Sequence, residues 1–217
     1  MDREQVRGRA EIDDALRKVS SSTTQIRSKK ELRNHIIEIA RQYGFNVFKN
    51  TRFGYEDFTV KTRVKFYRKY GKPPTTKILV IPNCLVRRLC SIYKKWPELG
   101  EFLLRTTLWH ECQHLLQDPT KFADFSTMEE EANRLMMERM GRPGLVVCVW
   151  YFCFYGKAGI WGRILNRKKR LDQGEAGKDI INCLERTYPN LVSSNEYDEI
   201  IDDVLWLETE YQNNERR

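Results

Sequence analysis

His110-Glu111-Cys112-Gln113-His114 places two imidazoles four residues apart, with a carboxylate beside the first. In an α-helix, residues four apart lie about 40° apart round the axis and about 6 Å along it. Both rings can therefore reach one metal ion, and Glu111 can reach a water on that ion without ligating it. Zinc hydrolysis chemistry needs three protein ligands and a fourth position open to water, whose pKa falls toward ~7. A neighbouring carboxylate accepts the proton as that water attacks a carbonyl, then passes it to the leaving amine. The chain has only three histidines, and two of them form this motif. By composition alone the pattern would arise in roughly four such sequences per thousand. The third, His35, sits beside an apolar stripe and is expected to be structural or partly exposed.

No histidine follows His114, so the third ligand must come from elsewhere. The strongest source is Met128-Glu129-Glu130-Glu131-Ala132-Asn133, at the start of the next expected helix. Glutamates there also suit a helix N-terminus for electrostatic reasons alone. Spacing does not choose between Glu129, Glu130 and Glu131. An electrophile that stabilises the oxyanion is also expected. Tyr151, Tyr155, Arg134 and Arg142 are candidates for it, and core packing or solvation accounts for each of them equally well.

His-Glu-x-x-His followed by Glu-x-x-Ala-Asn on the next helix resembles the gluzincin metallopeptidases, and is most similar to the ImmA/IrrE-like group, with the M48-type peptidases next. The resemblance covers about half the chain. It implies Glu129 as third ligand to one Zn2+ per chain, with His110 and His114, and Asn133 as a support for the first histidine. It implies Glu111 as the catalytic base and a protein or peptide as substrate. The implied fold is α+β: a zincin-like metallopeptidase core with a small antiparallel or mixed sheet, an HExxH helix and a helix-rich C-terminal region. The chain departs from the pattern at Gln113, where a small residue is usual, and at Leu135-Met136-Met137. SprT-like proteases use a further downstream histidine, which this chain lacks.

The elements that must hold these residues are legible from periodicity. A helix is expected over roughly 3–19, with Ile12, Leu16 and Val19 on one face, broken by Ser20-Ser21-Ser22-Thr23-Thr24. Ser28 with Glu31 makes a capping box for a second helix, striped by Leu32, Ile36, Ile39, Ala40 and Tyr43 and ended by Gly44. Phe58, Val60, Thr62, Val64 and Phe66 alternate with polar and basic residues, as in a half-buried strand. Lys77 to Ile81 is a shorter strand after the Gly71-Lys72-Pro73-Pro74 loop, and Phe45-Asn46-Val47-Phe48 is a further candidate. From Asn83 the chain reads as helices to Trp96, from about Glu98 to Gln117 with Asp118-Pro119 as its stop, and from Ser126 to before Gly141. Leu145 to Tyr155 is an apolar run too short to span a bilayer. It is expected as a buried helix or strand, with membrane-surface contact as the alternative. Two more helices are expected near 174–187 and 194–212, the last with its acidic residues outward. The domain reading is an N-terminal helix and joint over 1–24, a catalytic core over 25–143 and a helical extension over 144–217 packed on it.

A chain of 217 residues with 41% hydrophobic residues can bury a sizeable core, which argues against wholesale disorder. The net charge of +8 is uneven. Residues 1–77 hold 19 basic and 9 acidic side chains, Lys157 to Arg170 six basic ones, and Glu196 to Glu210 seven acidic ones. A solvated surface is the plain explanation; nucleic acid bound through the basic surface is the other. The six cysteines include no CxxC pair and read as free thiols. With a polar N-terminus and no transmembrane run, the expected compartment is the cytoplasm. Beside the metallopeptidase stand a non-catalytic zincin-fold binding module for DNA or a protein partner, and a hydrolase of non-peptide amides.

Overall fold

The computed structural model describes residues 3–20, 25–44, 61–64, 77–80, 83–117, 125–155 and 173–214. Helix α1 (Arg3–Ser20) buries Ile12 and Leu16. Helix α2 (Lys29–Gln42) begins at the expected capping box: the Ser28 hydroxyl accepts from the Glu31 amide, and Glu31 accepts from the Ser28 amide. Its stripe of Leu32, Ile36, Ile39 and Ala40 is fully buried, and Gly44 follows at φ 85°, a conformation that costs glycine little. Helix α3 (Asn83–Lys95) buries Val86, Leu89, Ile92 and Tyr93.

Helix α4 (Pro97–Leu116) carries the HExxH motif, and its buried residues run round the helix rather than along one stripe. Pro97 opens it, where the missing N–H costs nothing. A helix with buried residues on all sides has to be surrounded, and α4 is: α1, α2 and α3 pack on it, as does α5 (Phe125–Trp150). Leu99, Leu103, Leu104 and Leu108 are completely or almost completely buried. The indole of Trp109 donates to the Leu135 carbonyl at 3.2 Å and ties α4 to α5.

The α+β expectation is overturned. The described residues are overwhelmingly helical, and helices make most of the enclosure of α4, although a short strand pair also packs on it. Among them the only extended pairing is an antiparallel ladder of β1 (Lys61–Val64) with β2 (Lys77–Val80), in which Lys61 pairs with Val80 and Val64 with Lys77. Two strands of four residues do not make a layer on which a domain can be built. Most of the cover on the HExxH helix comes from α1, α2, α3 and α5, and β1 and β2 also touch it. The candidate strand at 45–48, the flanks of both strands, the Gly71–Pro74 loop, the joint at 21–24, the stop at Asp118-Pro119 and the basic stretch 157–170 lie outside the described residues.

Gly141 interrupts α5 at φ 67°, ψ −170°, and Pro143 follows. The chain then continues as helix. Leu145 to Trp150 are buried, and a π-helical turn, Tyr151–Tyr155, ends the run. Leu145 to Tyr151 therefore offer a membrane surface nothing. No described helix is long and apolar enough to cross a membrane.

Helix α6 (Gln173–Thr187) leads through a 3-10 turn, Ser194–Glu196, into α7 (Tyr197–Asn213). The expectation that the acidic residues of this last helix face outward fails at two positions. Asp203 is 1% exposed and Glu208 8%. Arg142 reaches Glu199 at 2.5 Å and Asp203 at 2.9 Å, which gives Asp203 a counter-charge inside. Glu208 accepts from the Trp150 indole at 2.9 Å and the Tyr155 hydroxyl at 3.2 Å. Both acids thus anchor α7 to α5 through polar contacts that periodicity does not reveal.

Candidate metal centre

The C-terminal half of α4 and the first turns of α5 meet where the motif lies. His114 Nε2 is 3.3 Å from His110 Nε2. Glu129 sets its Oε2 3.3 Å from the His110 nitrogen and its Oε1 3.3 Å from the His114 nitrogen. Among the described residues this is the only trio of such side chains whose ligand atoms converge, all within 4.8 Å of one another. Separations of 3.3 Å are long for hydrogen bonds, which cluster near 2.9–3.0 Å. The His110–His114 separation also matches two nitrogens sharing one ion, since bonds of 2.0–2.1 Å arranged tetrahedrally hold ligand atoms about 3.3–3.4 Å apart. Two imidazole nitrogens and a carboxylate oxygen also form a donor set that suits zinc.

The charge distribution favours a cation. Burial pushes the Glu129 carboxyl up, but hydrogen bonds from His110 and His114 and their charge bring it down to about 2. Glu129 is therefore ionised at neutral pH. Burial disfavours charge on His114, yet the bond and charge of Glu129 hold its pKa above the ordinary value.

Glu111 follows His110 on α4, about 60° round the axis from His114. It is 7% exposed, and its charge acts on both His114 and Cys112. The cluster is open on one side: the Glu129 side chain is 36% exposed and that of His110 16%, against 5% for His114.

Of the three glutamates that spacing could not separate, Glu129 is the one that faces the histidines. Glu131 instead accepts from the side-chain amide of Gln117 at 3.3 Å. Asn133, expected to support His110, does not. Its amide donates to the Thr187 carbonyl at 2.9 Å and its Oδ1 is buried without a partner, so it fastens α6 to α5. The polar neighbour of the ligands is Gln117, whose Oε1 lies 2.7 Å from His114 Nδ1. The sequence holds a weak signal for it, an amide one helical turn beyond the second histidine. Two oxyanion candidates are committed elsewhere: Arg142 to Glu199 and Asp203, and Tyr155 to Glu208. Arg134 pairs with Glu138. His35 lies far from the trio along the chain and contacts Glu101 at 2.6 Å, a structural role as expected.

Compared with known protein families, the chain matches none. Comparisons with curated proteins and with solved structures likewise find no match.

Proposed function

We propose that this chain is a zinc-dependent metallopeptidase of the gluzincin kind, hydrolysing a peptide bond in a protein or peptide substrate inside the cell. The observation that carries the reading is the meeting of His110, His114 and Glu129 at 3.3 Å separations, with Glu111 next on the same helix. Zinc bound there would supply Lewis acidity toward water and the substrate carbonyl. The chain does the rest. His110, His114 and Glu129 hold the ion and leave a side open to solvent. Glu111 takes the proton released as water attacks the carbonyl carbon, then returns it to the amine as the C–N bond breaks. A scaffold that only bound metal would have no use for Glu111 beside the first ligand. The free thiols of Cys90, Cys112, Cys148, Cys153 and Cys183 support a reducing compartment, the cytoplasm.

Elemental analysis of wild type and Glu129→Ala tests the metal, and Glu111→Gln tests the chemistry. About one zinc per chain is expected in wild type, with sharply less in Glu129→Ala. Glu111→Gln should keep its zinc and lose ~10²–10⁴-fold in hydrolysis of an unfolded protein substrate. Wild type that holds no zinc after reconstitution would overturn the reading in favour of a binding module for DNA or a protein partner.

A further inference from the structure

We propose that Gln117 is a positioning residue for the metal centre, one that fixes the proton of His114 on Nδ1 and locks the second ligand to the helix that carries the third. The proposal rests on the reading of His110, His114 and Glu129 as metal ligands. Gln117 is the C-cap that follows α4, and it is 6% exposed. Its Nε2 donates to the Met128 carbonyl at 2.8 Å and to a Glu131 carboxylate oxygen at 3.3 Å. A carbonyl and a carboxylate can only accept, so the amide cannot be turned over. Its Oε1 must then face His114, and an oxygen at 2.7 Å from Nδ1 requires a proton on that nitrogen. In the neutral ring this leaves the lone pair on Nε2, the atom that faces His110 and Glu129. Free imidazoles favour the opposite tautomer, with the proton on the distal nitrogen, where it would block ligation. A hydrogen bond on the far nitrogen commonly orients a metal-binding histidine.

The same side chain spans two elements. Met128 and Glu131 flank Glu129 on α5, while His114 lies one turn back on α4. Gln117 therefore holds the second and third ligands in one hydrogen-bonded unit, so that their separation does not depend on helix packing alone.

Three measurements test this on the full-length protein: zinc affinity by competition with a chelator, the visible absorption of the cobalt(II) form, and side-chain ¹⁵N NMR. The NMR is recorded without metal at about pH 9, above the ordinary imidazole range. Wild-type His114 should carry its proton on Nδ1. Gln117→Ala should shift the proton to Nε2, weaken zinc binding by ~10–100-fold and alter the cobalt spectrum. Gln117→Glu keeps the acceptor for Nδ1–H and loses the donors, so it should restore the tautomer and bring affinity to within ~10-fold of wild type. Helicity and melting temperature of each variant separate an effect on the ligand from a loss of fold. A wild-type proton on Nε2, unchanged zinc affinity in Gln117→Ala, or a Glu variant no better than Ala would each overturn the proposal. Wild type that binds no zinc overturns the metallopeptidase reading as well, which distinguishes the two failures.

Discussion

Removing the Tyr93 hydroxyl should destabilise the protein by about 2 kcal/mol without touching the metal centre. The Glu101 carboxylate is fully buried on α4, and three donors converge on it: His35 Nε2 at 2.6 Å, the Tyr93 hydroxyl at 2.7 Å and Arg105 Nε at 2.6 Å. These groups join α2, α3 and α4. Hydrogen bonds to a charged group contribute ~1.5–3 kcal/mol each, and burial this complete leaves little solvent screening to reduce that. Tyr93→Phe removes one bond and leaves Glu101 two donors, so the loss should be ~2 kcal/mol, or about 4–8 °C in Tm. The loss should depend on pH. Burial pushes the Glu101 carboxyl up, but the His35 and Tyr93 hydrogen bonds and the Arg105 charge bring it below the ordinary 4.5. A depressed carboxyl contributes stability above its unfolded pKa and loses it as pH falls through the folded value. The variant's carboxyl sits closer to 4.5, so the gap between the proteins is full at neutral pH and closes on acidification. Urea unfolding followed by circular dichroism, at pH 7 and at steps down to about pH 3, measures it. A gap under ~0.5 kcal/mol at pH 7, or one that persists unchanged in acid, would refute the reasoning. Zinc affinity should be unaltered, because His110 lies nine residues further along α4, about 13 Å away and beyond the usual range of coupling.

Gly141 sits in a backbone region essentially reserved for glycine, φ 67° with ψ −170°, so Gly141→Ala should cost ~1–3 kcal/mol in urea unfolding; an unchanged midpoint would place the break in α5 elsewhere. A Cβ on Gly8 would come within 2.4 Å of Asp203 Oδ2, and Arg142 keeps that carboxylate from swinging away. Gly8→Ala should therefore push α1 off α7 at ~1–3 kcal/mol, and wild-type stability in that variant would contradict the packing. Zinc at a hundredfold excess over its Kd should add ~2.7 kcal/mol of stability. Thermal melts with zinc and with chelator should thus differ by about 5–10 °C in wild type and coincide in Glu129→Ala.

Helices were legible where one face alternates with solvent. The stripes of α1, α2 and α3 follow from apolar spacing, and the Ser28–Glu31 box marks the start of α2 within a residue. The sheet was misjudged because alternation at Phe58 to Phe66 states only that two faces differ, not that further strands exist to make a layer. The acids of α7 were misplaced for a related reason. Periodicity assigns Asp203 and Glu208 to the polar class, while their burial depends on Arg142, Trp150 and Tyr155, up to about sixty residues away in sequence.

The choice among the three glutamates took the fold to make. Ala132 and Met136 are buried at 0% and 1%, and with Asn133 they define the inner face of α5. Glu129 stands three, four and seven residues before these positions, the spacing of a single helix face. Glu130 and Glu131 are turned about 100° and 200° away from it. Burial decides this and spacing does not, since Leu135 and Met137 stand at equally helical distances from Glu131 and Glu130. Gln117 carries only a weak signal in the sequence, an amide one helical turn past His114. Its role depends on the Met128 carbonyl and the Glu131 carboxylate arriving from the next helix, and on those two acceptors leaving its amide only one way to face. Periodicity narrows the third ligand to one helix turn, whereas the choice within that turn, and the residue that orients the second ligand, are defined by partners that only the folded chain brings together.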